Sequence, residues 1–262
     1  MTAPIHTLLI SLEDAQARRA AAIGQLTAAG FDPVFIPACD GRHRPVDDWD
    51  CYDAARARAF LGRPLRGGEI GCYLSHVAAL KRFLATDAGV ALVFEDDVTI
   101  TPEAANAIRS ALDWLMARPA TQWDVINLVT SARKFTRPVD DAHVPGLCRA
   151  YYFPLTTAGL AWSRPGAEAF LAQHDRVFAP IDNYLRWWCA RRGGGLAYRR
   201  APLAVSGAPS LIHPSGGARD MAQSRSARFT AADAARRMLN YARAIRHLAM
   251  AGLYPGYHEG AK

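Results

Sequence analysis

No stretch of this sequence approaches the roughly 18 consecutive apolar residues that a membrane-spanning helix needs, so a membrane span is not expected. The first residues lack the basic start and small-residue cleavage site of a secretory signal. Ile5 to Leu12 reads instead as a buried first strand. The expectation is a cytoplasmic protein, with peripheral contact to the inner face of the cytoplasmic membrane left open. Cysteine is sparse: Cys39, Cys51, Cys72, Cys148 and Cys189 are odd in number and show no Cys-x-x-Cys spacing. Neither a disulfide framework nor a zinc cluster is indicated, and reduced thiols are the plain reading. There is no internal repeat, no low-complexity tract and no recognisable nucleic-acid recognition motif. Nucleic acid is therefore not an expected partner.

What is present suits one large α/β domain, since half of the 262 residues are hydrophobic and a sizeable core can form. The net charge of +7 is uneven. From Arg191 to Arg246 the chain carries eleven arginines, and from Arg191 to its end only three acids, Asp220, Asp233 and Glu259. This is either a solvated basic face or a surface for an anionic membrane or a phosphate-bearing glycolipid.

Local patterns alternate between strand and helix. Ile5–Leu12 is β-branched and leucine-rich, helix formers follow from Asp14 to Gly30, and Val34-Phe35-Ile36 reads as a second strand. Strand, helix, strand opens a parallel sheet with a crossover helix. Asp40 to Gly68 is a long polar loop holding a short helix near Ala54 to Phe60. A helix is predicted over about Glu69–Leu84, with Tyr73, Val77, Leu80 and Leu84 facing the core. Val90–Phe94 reads as a buried strand, Pro102 to Met116 as a helix, and Trp123–Leu128 as another strand. Lys134 to Tyr152 has room for a hairpin, and Pro165 opens a helix ending near Gln173. Ala231 to Leu248 is helical, with Met238, Tyr241, Ala242 and Ile245 on one face. Residues 213–262 form either a basic helical appendage to a 1–212 domain or part of that same domain.

The most informative tripeptide is Glu95-Asp96-Asp97. Three consecutive carboxylates at the end of a buried strand repel one another and lose solvation, so something must offset them. In open α/β sheets, ligands bind beyond the carboxyl ends of the strands. Alternation along an extended chain would send Glu95 and Asp97 the same way, a pair suited to Mn²⁺ or Mg²⁺. Solvated turn acids near a helix start are the alternative.

The string Gly68-Glu69-Ile70-Gly71-Cys72-Tyr73-Leu74-Ser75-His76, followed by Phe94-Glu95-Asp96-Asp97-Val98, resembles glycosyltransferase family 25. That family holds bacterial lipooligosaccharide galactosyltransferases and collagen galactosyltransferases. Smaller pieces agree in order: Ile10-Ser11-Leu12 with Arg18-Arg19, Ala38-Cys39-Asp40-Gly41, Thr157-Ala158-Gly159, and Pro180-Ile181-Asp182. The resemblance spans about Ile5 to Ile212. It implies a GT-A-like, Rossmann-like nucleotide-sugar fold with a mostly parallel sheet flanked by helices. It also implies a UDP-sugar donor (usually UDP-galactose), inversion at the anomeric carbon, and Glu95-Asp96-Asp97 as the site for metal and donor. Leu160 stands where the family often has an aromatic residue, so the sugar is not inherited. The basic tail after Ile212 has no counterpart, so neither is the acceptor, for which a glycan or glycolipid is the general expectation.

Roles follow from the resemblance with alternatives beside them. Asp97 with Glu95 would hold Mn²⁺ or Mg²⁺, with His213 as a third ligand or merely a structural histidine. Asp182 is the candidate base toward the acceptor hydroxyl, or an ordinary acid at a helix start. Ser11, at the end of the first strand, is a donor-binding candidate, and Arg18 and Arg19, which follow that strand, could meet a diphosphate or base; surface arginines on a helix are the alternative. Asp40 and Gly41 would meet the nucleoside or form a simple turn. Ser75 and His76 would touch donor or brace the carboxylate loop, and Glu95 and Asp96 complete the donor set. Competing functions are a catalytically inactive docking protein, a basic nucleic-acid binder, and a metal-dependent phosphohydrolase using the same acids.

Overall fold

A computed structural model describes residues 4–206 and 227–253. Strands β1 (Ile5–Ser11), β2 (Pro33–Pro37) and β3 (Val90–Glu95) form one half of an eight-stranded sheet. The other half comprises β5 (Val125–Asn127), β6 (Thr136–Pro138), β7 (Leu147–Ala150), β8 (Gly159–Ser163) and β9 (Gly195–Tyr198). The order is β2-β1-β3-β8-β5-β9-β7-β6. Six strands point one way, and β7 and β8 are reversed. A short pair, β4 (Val98–Thr99) with β10 (Ala204–Val205), stands apart from the main sheet.

Helices cover both faces, which is why the central strands are apolar on both sides rather than alternating with polar residues. Leu8, Ile10, Ala91 and Val93 face one core, against α3 (Gly67–Leu84), α5 (Arg164–Gln173) and α6 (Ile181–Arg192). Leu9, Leu92 and Phe94 face the other, against α1 (Gln16–Ala28) and α4 (Pro102–Met116). The chain is thus a mixed α/β, Rossmann-like fold of the GT-A type. Local chemistry sets the helix starts. Thr101 accepts from the Ala104 amide with Pro102 in the first turn of α4, and the Ser163 hydroxyl accepts from the Gly166 amide to start α5.

Tyr73, Val77 and Leu80 are buried and Leu84 is partly so, as the helical spacing predicts. The short helix is α2 (Ala54–Leu61), and the hairpin between 134 and 152 is β6 with β7. Strands β8 and β9 escape the sequence pattern. Each is short, and each lies beside stronger helix or turn signals.

The last described helix, α7 (Ala227–Leu253), packs against α2 and α6. Its buried face carries Asn240, Ala244, His247 and Ala251. Met238 and Ile245 are instead 72% and 55% exposed, so the face expected from sequence points to solvent apart from the half-buried Tyr241. Polar His247 holds a place in the interface because it meets a partner there: its Nε2 reaches the Ala190 carbonyl at 3.0 Å.

Candidate active site

The chain runs from β1 to β2 on one side and then crosses back to β3 on the other side of β1. Loops leaving β1 and β3 therefore diverge and open a crevice beyond their carboxyl ends. A cleft of about 640 Å³ lies there. Its walls bring together Ser11, Arg18, Asp40, Gly41, Ser75, His76 and all three carboxylates.

The carboxylates reach it by a turn, not by alternation. β3 ends at Glu95, and Asp96-Asp97 form the turn before β4. The three side chains consequently share one cleft instead of splitting between two faces. The turn is held from below: the Ser206 amide donates to the Asp97 carbonyl at 2.6 Å, just after β10 pairs with β4.

The protein supplies much of the offset that the three charges demand. Arg18 Nη2 lies 2.6 Å from Asp96 Oδ1 and 3.8 Å from Asp97 Oδ2. The Ser11 hydroxyl donates to the other Asp96 oxygen at 2.6 Å. His76 Nε2 is 3.1 Å from Glu95 Oε1, which also accepts from the Thr157 hydroxyl at 2.7 Å. Burial pushes the Glu95 carboxyl up, but the His76 and Thr157 hydrogen bonds outweigh it and leave the group below its ordinary range. Asp97 is the exception. Burial first, and the Glu95 charge second, push it up to about 6, and its Oδ1 is buried without a hydrogen-bond partner.

Asp40 holds the other rim. Its carboxylate takes Arg42 Nε and Nη2, and Arg42 Nη2 also reaches Asp14 at 2.7 Å. These Arg42 hydrogen bonds lower the Asp40 carboxyl. Gly41 has a backbone reason to be glycine: a Cβ there would overlap the Gly67 carbonyl, and one on Gly71 would overlap the Cys39 carbonyl. The β2 loop and the start of α3 thus touch backbone to backbone. Ser75 fastens the same contact, accepting from the Cys39 amide at 2.8 Å and donating to the Gly71 carbonyl at 2.7 Å.

Two sequence candidates, Arg19 and Asp182, stand outside the cleft lining. Arg19 donates to the Leu12 and Glu13 carbonyls and lies over the Phe35 ring, so its guanidinium is spent on the β1–α1 turn rather than lining the cleft. Asp182 sits in the first turn of α6, outside the cleft lining, and accepts from the Asn183 amide and side chain. Burial raises its carboxyl against the opposing pull of the Asn183 hydrogen bonds and Arg186, and Glu69 on α3 adds to the rise. His213 lies outside the described residues.

Four residues were not singled out as ligands from sequence: Arg42, Gly68, Cys72 and Thr157. Cys72, His76 and Glu95 have ligand atoms within 4.8 Å of one another, the group among the described residues that could converge on a metal. A thiol kept protonated by burial and a direct His76–Glu95 hydrogen bond make this trio complete without one. For a hard divalent cation, the better fit is the buried oxygen of Asp97 that has no hydrogen-bond partner.

With this geometry in place, comparison with known proteins decides the family. The model of glycosyltransferase family 25 (LPS biosynthesis protein) matches residues 4–144, just over half of the chain. The chain belongs to glycosyltransferase family 25. It is 30% identical over 188 residues to "Glycosyltransferase 25 family member" of Aedes aegypti, covering 69% of this chain and 30% of that one. It is 32% identical over 195 residues to "Probable inactive glycosyltransferase 25 family member 3" of Rattus norvegicus, covering 69% and 32%. It is 30% identical over 129 residues to "Procollagen galactosyltransferase 1-A" of Xenopus laevis, covering 48% and 21%. The chain spans about a third or less of the length of these curated relatives. The family-25 match includes every residue that lines this cleft, while Thr157, which braces Glu95, lies beyond it. No helix among the described residues is long and apolar enough to cross a membrane.

Proposed function

We propose that this family-25 chain transfers a hexose, galactose by preference, from a UDP-sugar to a cell-surface glycan such as lipooligosaccharide, with inversion. The observation that carries this reading is the convergence of Glu95, Asp96 and Asp97 on one cleft beyond β1 and β3, with Arg18 and Arg42 at its walls. A diphosphate is itself anionic, so it needs cations beside the acids. Arg18 would turn toward it as Asp96 is taken over by Ser11 and donor hydroxyls. Asp40 and Gly41, on the β2 loop, would receive the nucleoside.

Mn²⁺ or Mg²⁺ bound at Asp97, with Glu95 and His213 as the further candidate ligands, would stabilise charge on the departing diphosphate. His76 and Thr157 hold Glu95 ionised and oriented for donor or cation. Asp182 would take the proton of the acceptor hydroxyl from the α3–α6 side; a carboxyl raised by burial is a better proton acceptor. A cytoplasmic site at the inner membrane face is favoured by α7. Its exposed Met238, Leu239 and Ile245 lie among Arg237 and Arg246, a surface suited to anionic lipid.

The non-catalytic reading is kept by the relatives whose names call them inactive. Calorimetry separates the two: UDP-galactose, UDP-glucose and UDP-N-acetylhexosamines are titrated with and without Mn²⁺ into wild type and Asp97→Ala. Metal-dependent binding of one donor, lost in the variant, supports the transferase. No binding of any UDP-sugar overturns the donor assignment.

A further inference from the structure

A second, larger cleft of about 1250 Å³ lies at the other end of the sheet. Its walls come from residues just before β5 and β9 and at the end of the reversed β8, so it opens at the amino ends of the forward strands. The donor cleft opens at their carboxyl ends. The two therefore cannot share one ligand atom. Trp123, Asp124, Arg149, Tyr151, Arg192 and His247 supply the chemistry.

The charges here do not balance. Arg192 Nε and Nη2 take both oxygens of Asp124, at 3.0 and 3.1 Å, so that carboxylate is committed. Arg149 donates only to backbone carbonyls, those of Gln122 at 2.6 Å and Gly193 at 3.3 Å. In the β6–β7 ladder Arg149 stands directly opposite Arg137. Like charges facing each other across two strands are destabilising. Arg137 in turn donates to the Ala251 carbonyl. Burial of Arg149 pushes its guanidinium below its ordinary value, and the nearby Tyr151 and Asp124, the latter shared with Arg192, only partly offset it. Among the described residues no carboxylate forms an ion pair with Arg149 or Arg137.

The cleft is also shaped for more than a bare ion. Trp123 presents an aromatic wall, and the Tyr151 ring stacks on His247 with centroids 5.2 Å apart. Gly193, at φ +72°, lets His247 close against the backbone. His247 comes from α7, so docking of that helix completes the wall.

We propose that this second cleft binds the phosphate or carboxylate of an acidic sugar unit, with Arg149 as the principal anion ligand and the aromatic wall packing on the sugar. The site is independent of the transferase reading and survives its failure. A sugar phosphate and a uronic acid share the required chemistry, and the test separates them.

Calorimetry with inorganic phosphate, glucose 6-phosphate and glucuronate is run on wild type, Arg149→Gln, Gln122→Glu and Arg18→Gln. Gln122 is exposed at the rim and its backbone carbonyl accepts from Arg149, so Gln122→Glu adds a negative charge at the mouth of the cleft without disturbing the core. Expected is binding of one acidic sugar more tightly than inorganic phosphate. That binding weakens about tenfold or more in Arg149→Gln and in Gln122→Glu, and is unchanged in Arg18→Gln. Circular dichroism checks the fold of each variant, and Gln122→Glu decides alone if Arg149→Gln does not fold. Glucose 6-phosphate rather than glucuronate as the tighter ligand assigns a phosphate; the reverse assigns a carboxylate. Binding of neither sugar, binding unaffected by Gln122→Glu, or loss confined to Arg18→Gln overturns the proposal.

Discussion

Arg18 Nη2 lies 2.6 Å from Asp96 Oδ1, so the guanidinium from α1 caps the acid turn that follows β3. Two segments almost eighty residues apart in sequence form one charge-balanced cleft through this pair. The balance is incomplete at Asp97, and that deficit leads to the first prediction.

Asp97→Asn should stabilise the protein while abolishing donor binding. The wild-type carboxyl titrates at about 6, above its ordinary 3.8, so ionising it in the folded state costs free energy. That cost is present in full above the folded value and fades as pH falls from about 6 toward 4. The amide removes it, giving a gain of about 2 kcal/mol near neutral pH after discounting for partial solvent contact. Urea unfolding across this pH range measures it. An unchanged or reduced stability near neutrality would show that Asp97 is satisfied in the folded state.

Thr157→Val keeps shape and deletes the hydroxyl that donates to Glu95. Loss of about 1 kcal/mol near neutral pH is expected. Glu95 is held below its ordinary value, so its contribution exists above the unfolded value and disappears as pH falls through the folded one. The difference between variant and wild type should therefore shrink in acid. Transfer should slow about tenfold through loss of a fixed Glu95 orientation. A stability gap that persists unchanged in acid would assign the loss to packing.

The glycines give a paired test. Gly41→Ala drives a methyl into the Gly67 carbonyl, and neither backbone can retreat without separating the β2 loop from α3. Destabilisation of about 2 kcal/mol or more is expected, with donor affinity falling too. Gly24 lies inside α1 with nothing within 4 Å of a Cβ. Gly24→Ala should stabilise by about 0.5–1 kcal/mol. Thermal melts of the two variants should thus move in opposite directions.

Asp182→Asn tests the base. If Asp182 accepts the acceptor proton, turnover falls about a hundredfold or more while donor affinity and fold are retained. Burial already disfavours its charge, so stability should hold or rise. Turnover within about twofold of wild type would leave Asp182 as only a first-turn acid of α6.

The sequence by itself determined the alternation of strand and helix at the amino-terminal end, because apolar runs and helix-start signals there are local. Pro102 and Thr101 start α4, and Val90–Phe94 is apolar throughout because both its faces are covered. It also determined that Glu95-Asp96-Asp97 would end a buried strand, and that Glu69–His76 would lie on one helix. The tertiary structure alone decided what those residues meet. Arg18 rather than Arg19 faces the acids, because one helix position turns toward the cleft and the next onto Phe35. Thr157 reaches Glu95 because the reversed strand β8 inserts between β3 and β5, a pairing that no local periodicity encodes. The second cleft depends on the same kind of distant pairing, with Arg137 set against Arg149 by strand register and His247 brought in by the docking of α7. Register and docking are long-range choices made by the whole core, and short-range patterns in the chain carry too little of that free energy to reveal them.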